Sequence, residues 1–127
     1  MAHIKESGYI LVKDFLNPCE IDLLTNYTKM RHRSNFDSFD EIQNNNGDTY
    51  FYGDPLMESL MLCKQNKIEK IINLKLIPTY AFWRMYSFNA ELTKHKDRPA
   101  CEVSVTININ VESHRSNCFT IYEQETN

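Results

Sequence analysis

The stretch Tyr80-Ala81-Phe82-Trp83-Arg84-Met85-Tyr86, followed by His95-Lys96-Asp97 and then by Val103-Ser104-Val105-Thr106-Ile107, decides how this chain is read. It sets an imidazole and a carboxylate two residues apart, between two segments with the composition of strands. In an extended backbone, residues i and i+2 project from the same face, so His95 and Asp97 stand side by side. An imidazole and a carboxylate so placed supply two of the three ligands of a facial His/carboxylate iron site. Aromatic residues crowd positions 80 to 88. Residues 102 to 110 alternate, with Val103, Val105, Ile107 and Ile109 on one face and Ser104, Thr106, Asn108 and Asn110 on the other. A period of two predicts a strand with one wet side. Phe119-Thr120-Ile121-Tyr122 predicts a last short strand.

Upstream, Tyr9-Ile10-Leu11-Val12 predicts a short strand. Asn17-Pro18-Cys19-Glu20 then carries a helix start: Asn17 can cap, Pro18 suits the first helical position and Glu20 reaches back as in a capping box. Ile21, Leu24 and Tyr27, with Leu23 beside them, make the apolar stripe of a helix to about Met30. Residues 31 to 49 turn polar and end in Asn44-Asn45-Asn46-Gly47-Asp48, which predicts a loop and a candidate substrate lid. Asp54-Pro55 repeats the cap-then-proline signature. Leu56, Met57, Leu60, Met61, Ile68, Ile71 and Ile72 form the apolar side of a second helical stretch, with Gln65-Asn66-Lys67 leaving one helix or two open. Pro78 ends the segment. The expected architecture is α+β, helices first and strands after.

The 127 residues bound the chain to one domain (1-127), with a supporting part over 1-78 and a strand-rich part over 79-127. A hydrophobic content of 42% and a charged content of 24% are those of an ordinary globular protein. A formal charge of −3 argues against a nucleic-acid partner, which needs clustered Lys and Arg. No apolar run approaches the roughly 18 residues of a membrane span, and Met1 to Gly8 lack a signal-peptide core. Cys19, Cys63, Cys101 and Cys118 form no CxxC pair, so a zinc knuckle is not expected and the thiols are expected to stay reduced. Together these predict a cytoplasmic protein without a membrane partner.

The run Tyr86-Ser87-Phe88-Asn89-Ala90-Glu91-Leu92-Thr93-Lys94-His95-Lys96-Asp97 resembles the YxxGxxLxxHxD segment of the Fe(II)/2-oxoglutarate-dependent dioxygenases, in particular the prolyl-4-hydroxylase-like branch. Leu76 to Met85 before it and Arg98 to Asn108 after it are similar to that group as well. The resemblance is closest over residues 74 to 111 and looser over the N-terminal strand and helices. Asn89 stands where the pattern usually has Gly, and Asn is among the few other residues that tolerate positive φ. The resemblance implies helices packed on a double-stranded β-helix, or jelly roll. It implies Fe(II) as metal, 2-oxoglutarate as cosubstrate, ascorbate as a possible reductant, and hydroxylation of a substrate with release of succinate and CO₂. His95 and Asp97 would hold the metal, and Tyr86 would line the pocket and hydrogen-bond the cosubstrate. Three ligands on one face leave the other positions of the metal open to the oxo-acid and O₂.

Two departures accompany the resemblance. After Asp97 the one remaining histidine is His114, followed by Arg115 in the polar run Glu112-Ser113-His114-Arg115-Ser116-Asn117. The family's distal His comes after several more strands, with a basic residue beyond it that grips the far carboxylate of 2-oxoglutarate through a guanidinium fork. His114 thus reads first as a hairpin-loop residue, with a third metal ligand as the lesser alternative. The strand segments make about four strands where a jelly roll has about eight, so the fold is expected to be incomplete at its C-terminus. Open edges invite pairing with another chain, which makes a homodimer a candidate. Arg84 shares a strand side with Tyr86 and could face the pocket or pair with Glu91 or Glu102. Thr106 lies on the wet face with Ser104. Arg98 could orient the Asp97 carboxylate or lie on the surface. Two functions remain: an oxygenase acting on a small-molecule or peptidyl substrate, or a truncated, non-catalytic remnant that acts by binding or needs a partner chain.

Overall fold

The computed structural model describes residues 7–37, 48–87, 90 and 92–112. Over these the chain runs helix, strand, helix, strand: α1 (Pro18–Asp37), β1 (Thr49–Tyr52), α2 (Pro55–Ile72) and β2 (Phe82–Met85). The architecture is a small α+β unit with two helices and a two-stranded antiparallel sheet.

α1 begins where the capping box predicts. The Glu20 N–H donates to Asn17 Oδ1 at 2.8 Å, and the Asn17 N–H donates to Glu20 Oε1 at 3.0 Å. Two amides at the helix start thereby find side-chain acceptors. The helix continues past Met30 to Asp37, so residues 31–37 of the expected loop are helical. Tertiary contacts account for the extra turns. The Arg31 guanidinium lies over the Phe51 ring at 4.1 Å, and His32 Nδ1 sits 2.7 Å from Thr49 Oγ1. Polar side chains that read as loop from composition are bound to β1 instead. Residues 38–47 of the expected lid lie outside the described residues.

β1 has no counterpart in the sequence pattern, and it sits between the helices rather than after them. It pairs with β2 in the register Thr49↔Met85, Tyr50↔Arg84, Phe51↔Trp83 and Tyr52↔Phe82. Alternation then divides the sheet. Phe51 and Trp83 face inward with ring centroids 5.3 Å apart, while Tyr52 and Phe82 face outward at 4.5 Å. Gly53 comes next at φ +65°, a left-handed conformation that favours glycine. Its N–H reaches the Ala81 carbonyl at 2.9 Å and extends the ladder by one bond.

Asp54 caps α2, accepting from the Leu56 N–H at 3.0 Å and the Met57 N–H at 3.4 Å, with Pro55 behind it in the first turn. α2 is one continuous helix through Gln65–Lys67. The polar interruption is a flank that reaches outward. Gln65 Nε2 donates to the Leu76 carbonyl at 2.9 Å and Lys67 Nζ donates to the Phe15 carbonyl at 2.9 Å. The helix ends on Asn73 in the left-handed conformation, φ 56°. The buried Glu69 carboxylate accepts the Leu76 N–H at 2.8 Å and thereby fixes the chain that leads to β2.

Leu16, Leu24 from α1, Met57 from α2 and Trp83 from β2 form the buried core, with Phe15, Tyr27, Phe51, Leu60, Met85, Ile107 and Ile109 packed around it. Removing such side chains from water stabilises the fold by about 1.5–3 kcal/mol each. Three further strand expectations differ from the structure. Residues 9–12 pair with nothing in a sheet and Leu11 is 79% exposed, so an apolar run without a partner strand stays irregular. The strand expected over 80–87 is confined to Phe82–Met85. The alternating run 101–110 makes no sheet ladder: Ile107 and Ile109 reach the core, while Val103 and Val105 stay exposed. Residues 118–123 and His114 lie outside the described residues. Among the described residues, no helix is long and apolar enough to cross a membrane.

Candidate metal centre

The His95-Lys96-Asp97 segment enters a reversal at Arg98-Pro99-Ala100-Cys101, where the Cys101 N–H donates to the Arg98 carbonyl at 2.8 Å. A proline at the second position suits such a β-turn because its ring presets φ. The turn carries the next residues back alongside the triplet. Ser104 Oγ then donates to Asp97 Oδ2 at 2.5 Å. Arg98, immediately after Asp97, holds the reversal against the outer face of the sheet. Its guanidinium lies 5.5 Å from the Tyr52 ring centroid and 5.4 Å from that of Tyr80, a cation–π arrangement.

His95 Nδ1 lies 2.7 Å from the Thr93 carbonyl oxygen. A carbonyl oxygen only accepts, so Nδ1 carries a proton, and in the neutral ring Nε2 would be the nitrogen with the lone pair. That is the tautomer a metal-binding imidazole needs, fixed by the hydrogen bond of its other nitrogen. Nε2 is 3.6 Å from Asp97 Oδ1. Two ligands about 2.1 Å from one ion and at right angles to each other lie about 3.0 Å apart. Closing the difference takes a small side-chain rotation on an exposed segment. Both side chains are half exposed, 50% for His95 and 52% for Asp97, so the remaining positions of an ion held there would face solvent. An imidazole and one carboxylate are two donors, fewer than the three a facial site needs. Among the described residues, no group of three or more His, Cys, Asp or Glu side chains could hold a metal ion.

The other candidates fall elsewhere. Arg84 does not stand free for a carboxylate ligand. Its Nε donates to Asp48 Oδ2 at 2.9 Å, its Nη2 bonds the same oxygen, and Asp48 Oδ1 accepts the Ser87 N–H at 2.7 Å and the Ser87 hydroxyl at 2.8 Å. The buried Asp48, and not Glu102, is its partner in this pair; Glu91 lies outside the described residues. Burial pushes the Asp48 carboxyl upward, but the Ser87 and Arg84 hydrogen bonds outweigh it and hold the group below its ordinary value. Tyr86 is 41% exposed, and the Arg84 guanidinium lies 4.4 Å from its ring centroid. The shared strand side read for Arg84 and Tyr86 is thus a stacked pair. Thr106 is exposed. The structure brings His95, Asp97 and Ser104 together and joins Arg84 to Asp48 and Ser87 in a separate cluster. The residue pattern places Ser104 on a wet face without marking it as a partner of Asp97; the proline turn between them is the signal that joins them.

No protein-family model, no curated protein and no solved structure matches this chain.

Proposed function

We propose that the chain carries the metal-binding segment of an Fe(II)/2-oxoglutarate-dependent oxygenase, on a fold related to the jelly roll, with His95 and Asp97 as two of the metal ligands. The observation that supports this reading most is the pair itself: an imidazole whose neutral ring has its lone pair on Nε2 because Nδ1 bonds Thr93, facing a carboxylate oxygen at 3.6 Å. The resemblance of residues 74 to 111 supplies the identity of the metal and cosubstrate. Iron bound there would supply oxygen activation coupled to the oxidative decarboxylation of 2-oxoglutarate, with ascorbate as an auxiliary reductant. In this reading the chain's own residues do simpler things. His95 and Asp97 hold the ion, and Tyr86 lines the approach as a hydrogen-bond donor for the cosubstrate. The substrate is a small molecule or a peptidyl side chain, and the site of action is the cytoplasm.

A second reading rests on a different observation. Leu11, Leu74 and Ile77 are 79%, 55% and 90% exposed, and among the described residues each strand of the sheet pairs along one edge alone. Apolar surface and open edges of this kind suit a chain that works against another chain, a second copy included. That chain would complete the site or make this one a binding module without catalysis.

Succinate formation from 2-oxoglutarate by the purified chain, with Fe(II), ascorbate and O₂, tests the first reading beside a His95→Ala variant. Succinate that is lost in the variant is the expected result. Equal succinate in the two, at background level, leaves the binding reading as the function.

A further inference from the structure

We infer that Tyr52 and Tyr80, on the outer face of the sheet, form a site for a small quaternary ammonium ligand, and that Arg98 occupies it as a stand-in from the chain itself. The Arg98 guanidinium carbon lies 5.5 Å from the Tyr52 ring centroid and 5.4 Å from that of Tyr80, and the two centroids are 5.9 Å apart. The cation is therefore shared between two rings tilted 48° to each other instead of stacking on either one. Both distances are within the reach of a cation–π contact. Phe82 packs against Tyr52 at 4.5 Å and supports its ring.

The site's chemistry selects among cations. Among the described residues, no oxygen accepts a hydrogen bond from the Arg98 guanidinium, so the rings recognise its charge alone. A guanidinium carries several N–H donors that aromatic faces leave unpaired. A quaternary ammonium group has no N–H to leave unpaired, and aromatic cages are its usual recognition element. The electrostatics favour a cation over an anion. The chain has a formal charge of −3, and Glu58 Oε1 accepts the Ala81 N–H at 2.9 Å, which fixes a carboxylate beside the segment carrying Tyr80 and Phe82. Tyr52 is 58% exposed and Arg98 is exposed, so the site opens to solvent and Arg98 can leave it with the core untouched. The rings grip the head of one side chain and nothing longer, which suits a small molecule carrying such a head. That molecule competes with Arg98 and displaces the Arg98–Cys101 turn from the sheet.

Choline titrated into the full chain, followed by the NMR signals of the tyrosine rings, tests this in wild type, Arg98→Ala and Arg98→Gln. Neohexyl alcohol, the uncharged isostere of choline, is the control. Choline should shift the Tyr52 and Tyr80 ring signals saturably, and the isostere should not. Both Arg98 variants should bind choline about 5-fold or more tightly, because two exposed cation–π contacts no longer compete with it. A misfolded variant cannot give that result. Tyr80→Leu should lose the binding, while Tyr80→Phe, which keeps the aromatic face, should retain it. Equal shifts with the isostere, no choline shift in any of the proteins, or binding no tighter in both Arg98 variants would overturn the proposal.

Discussion

Replacing Asp54 by alanine removes one carboxylate that joins two helices. Its side chain is 1% exposed; it caps α2 through the Leu56 and Met57 N–H groups and accepts the Tyr27 hydroxyl of α1 at 2.5 Å. Loss of the cap costs about 1 kcal/mol. Leaving the Tyr27 hydroxyl without its acceptor costs about 1–3 kcal/mol more. The sum, about 2–4 kcal/mol, is a large share of the roughly 5–15 kcal/mol that holds a domain of ordinary stability. Urea unfolding followed by the fluorescence of the single tryptophan, Trp83, reads this directly, because Trp83 is buried in the same core. With a urea slope of about 2 kcal/mol per molar, the midpoint should fall by about 1–2 M in Asp54→Ala. Asp54→Asn keeps an oxygen for the cap and should lose less than half as much. Tyr27→Phe should matter in the wild-type background and hardly at all on top of Asp54→Ala, since the pair shares one bond. An Asp54→Ala midpoint within experimental error of wild type, or additive effects in the double variant, would show that Asp54 does not join the helices in this way.

Leu24 is 2% exposed in a core of four buried apolar side chains, so Leu24→Ala should cost about 2–5 kcal/mol, read as a lower urea midpoint. Arg84→Ala strips the buried Asp48 of its cation and should destabilise by about 3 kcal/mol, while Asp48→Asn with Arg84→Ala together should cost less than the sum; the same unfolding cycle checks both. Asp48 and Asp54 both titrate below the ordinary 3.8 in the folded chain, through Ser87 and Arg84 hydrogen bonds in one case and those of Tyr27 and the α2 amides in the other, each overcoming burial. Protonation therefore favours the unfolded chain. Their contribution is complete above the ordinary value and is lost as pH falls from there through the depressed values, so stability measured against pH should drop steeply below about pH 4. In Asp54→Asn that drop should be shallower.

Helix starts are legible in the sequence because they rest on local chemistry. Asn17 with Glu20, and Asp54 with Pro55, are start signals that act within four residues, and both cap as the pattern predicts. The end of α1 is not legible, because Arg31 and His32 owe their helical turns to Phe51 and Thr49, residues distant in sequence. β1 is four residues long between polar runs, too short for its alternation to stand out, although Thr49-Tyr50-Phe51-Tyr52 has the β-branched and aromatic character of a strand. The alternation of residues 103–109 is real as a pattern but tells nothing of a partner strand; its apolar side is divided between the core (Ile107, Ile109) and solvent (Val103, Val105). At the candidate centre, the adjacency of His95 and Asp97 comes from their spacing. The Ser104 contact depends on a chain reversal that brings together residues seven apart. From sequence Arg84 could equally face a pocket or pair with Glu91 or Glu102, and Asp48 is not among those candidates because it lies beside a sheet whose first strand the pattern does not reveal.

Long-range ¹H–¹⁵N NMR of the histidine rings, recorded on the full chain before and after addition of Zn(II) as a diamagnetic stand-in for Fe(II), probes the ligand pair atom by atom. Without metal the neutral His95 ring should carry its proton on Nδ1, and its Nε2 resonance should move to a metal-bound position on addition of Zn(II), with Asp97→Ala weakening the shift. A neutral His95 ring protonated at Nε2, or an Nε2 resonance unmoved by the metal, would contradict the assignment of His95 and Asp97 as a metal site.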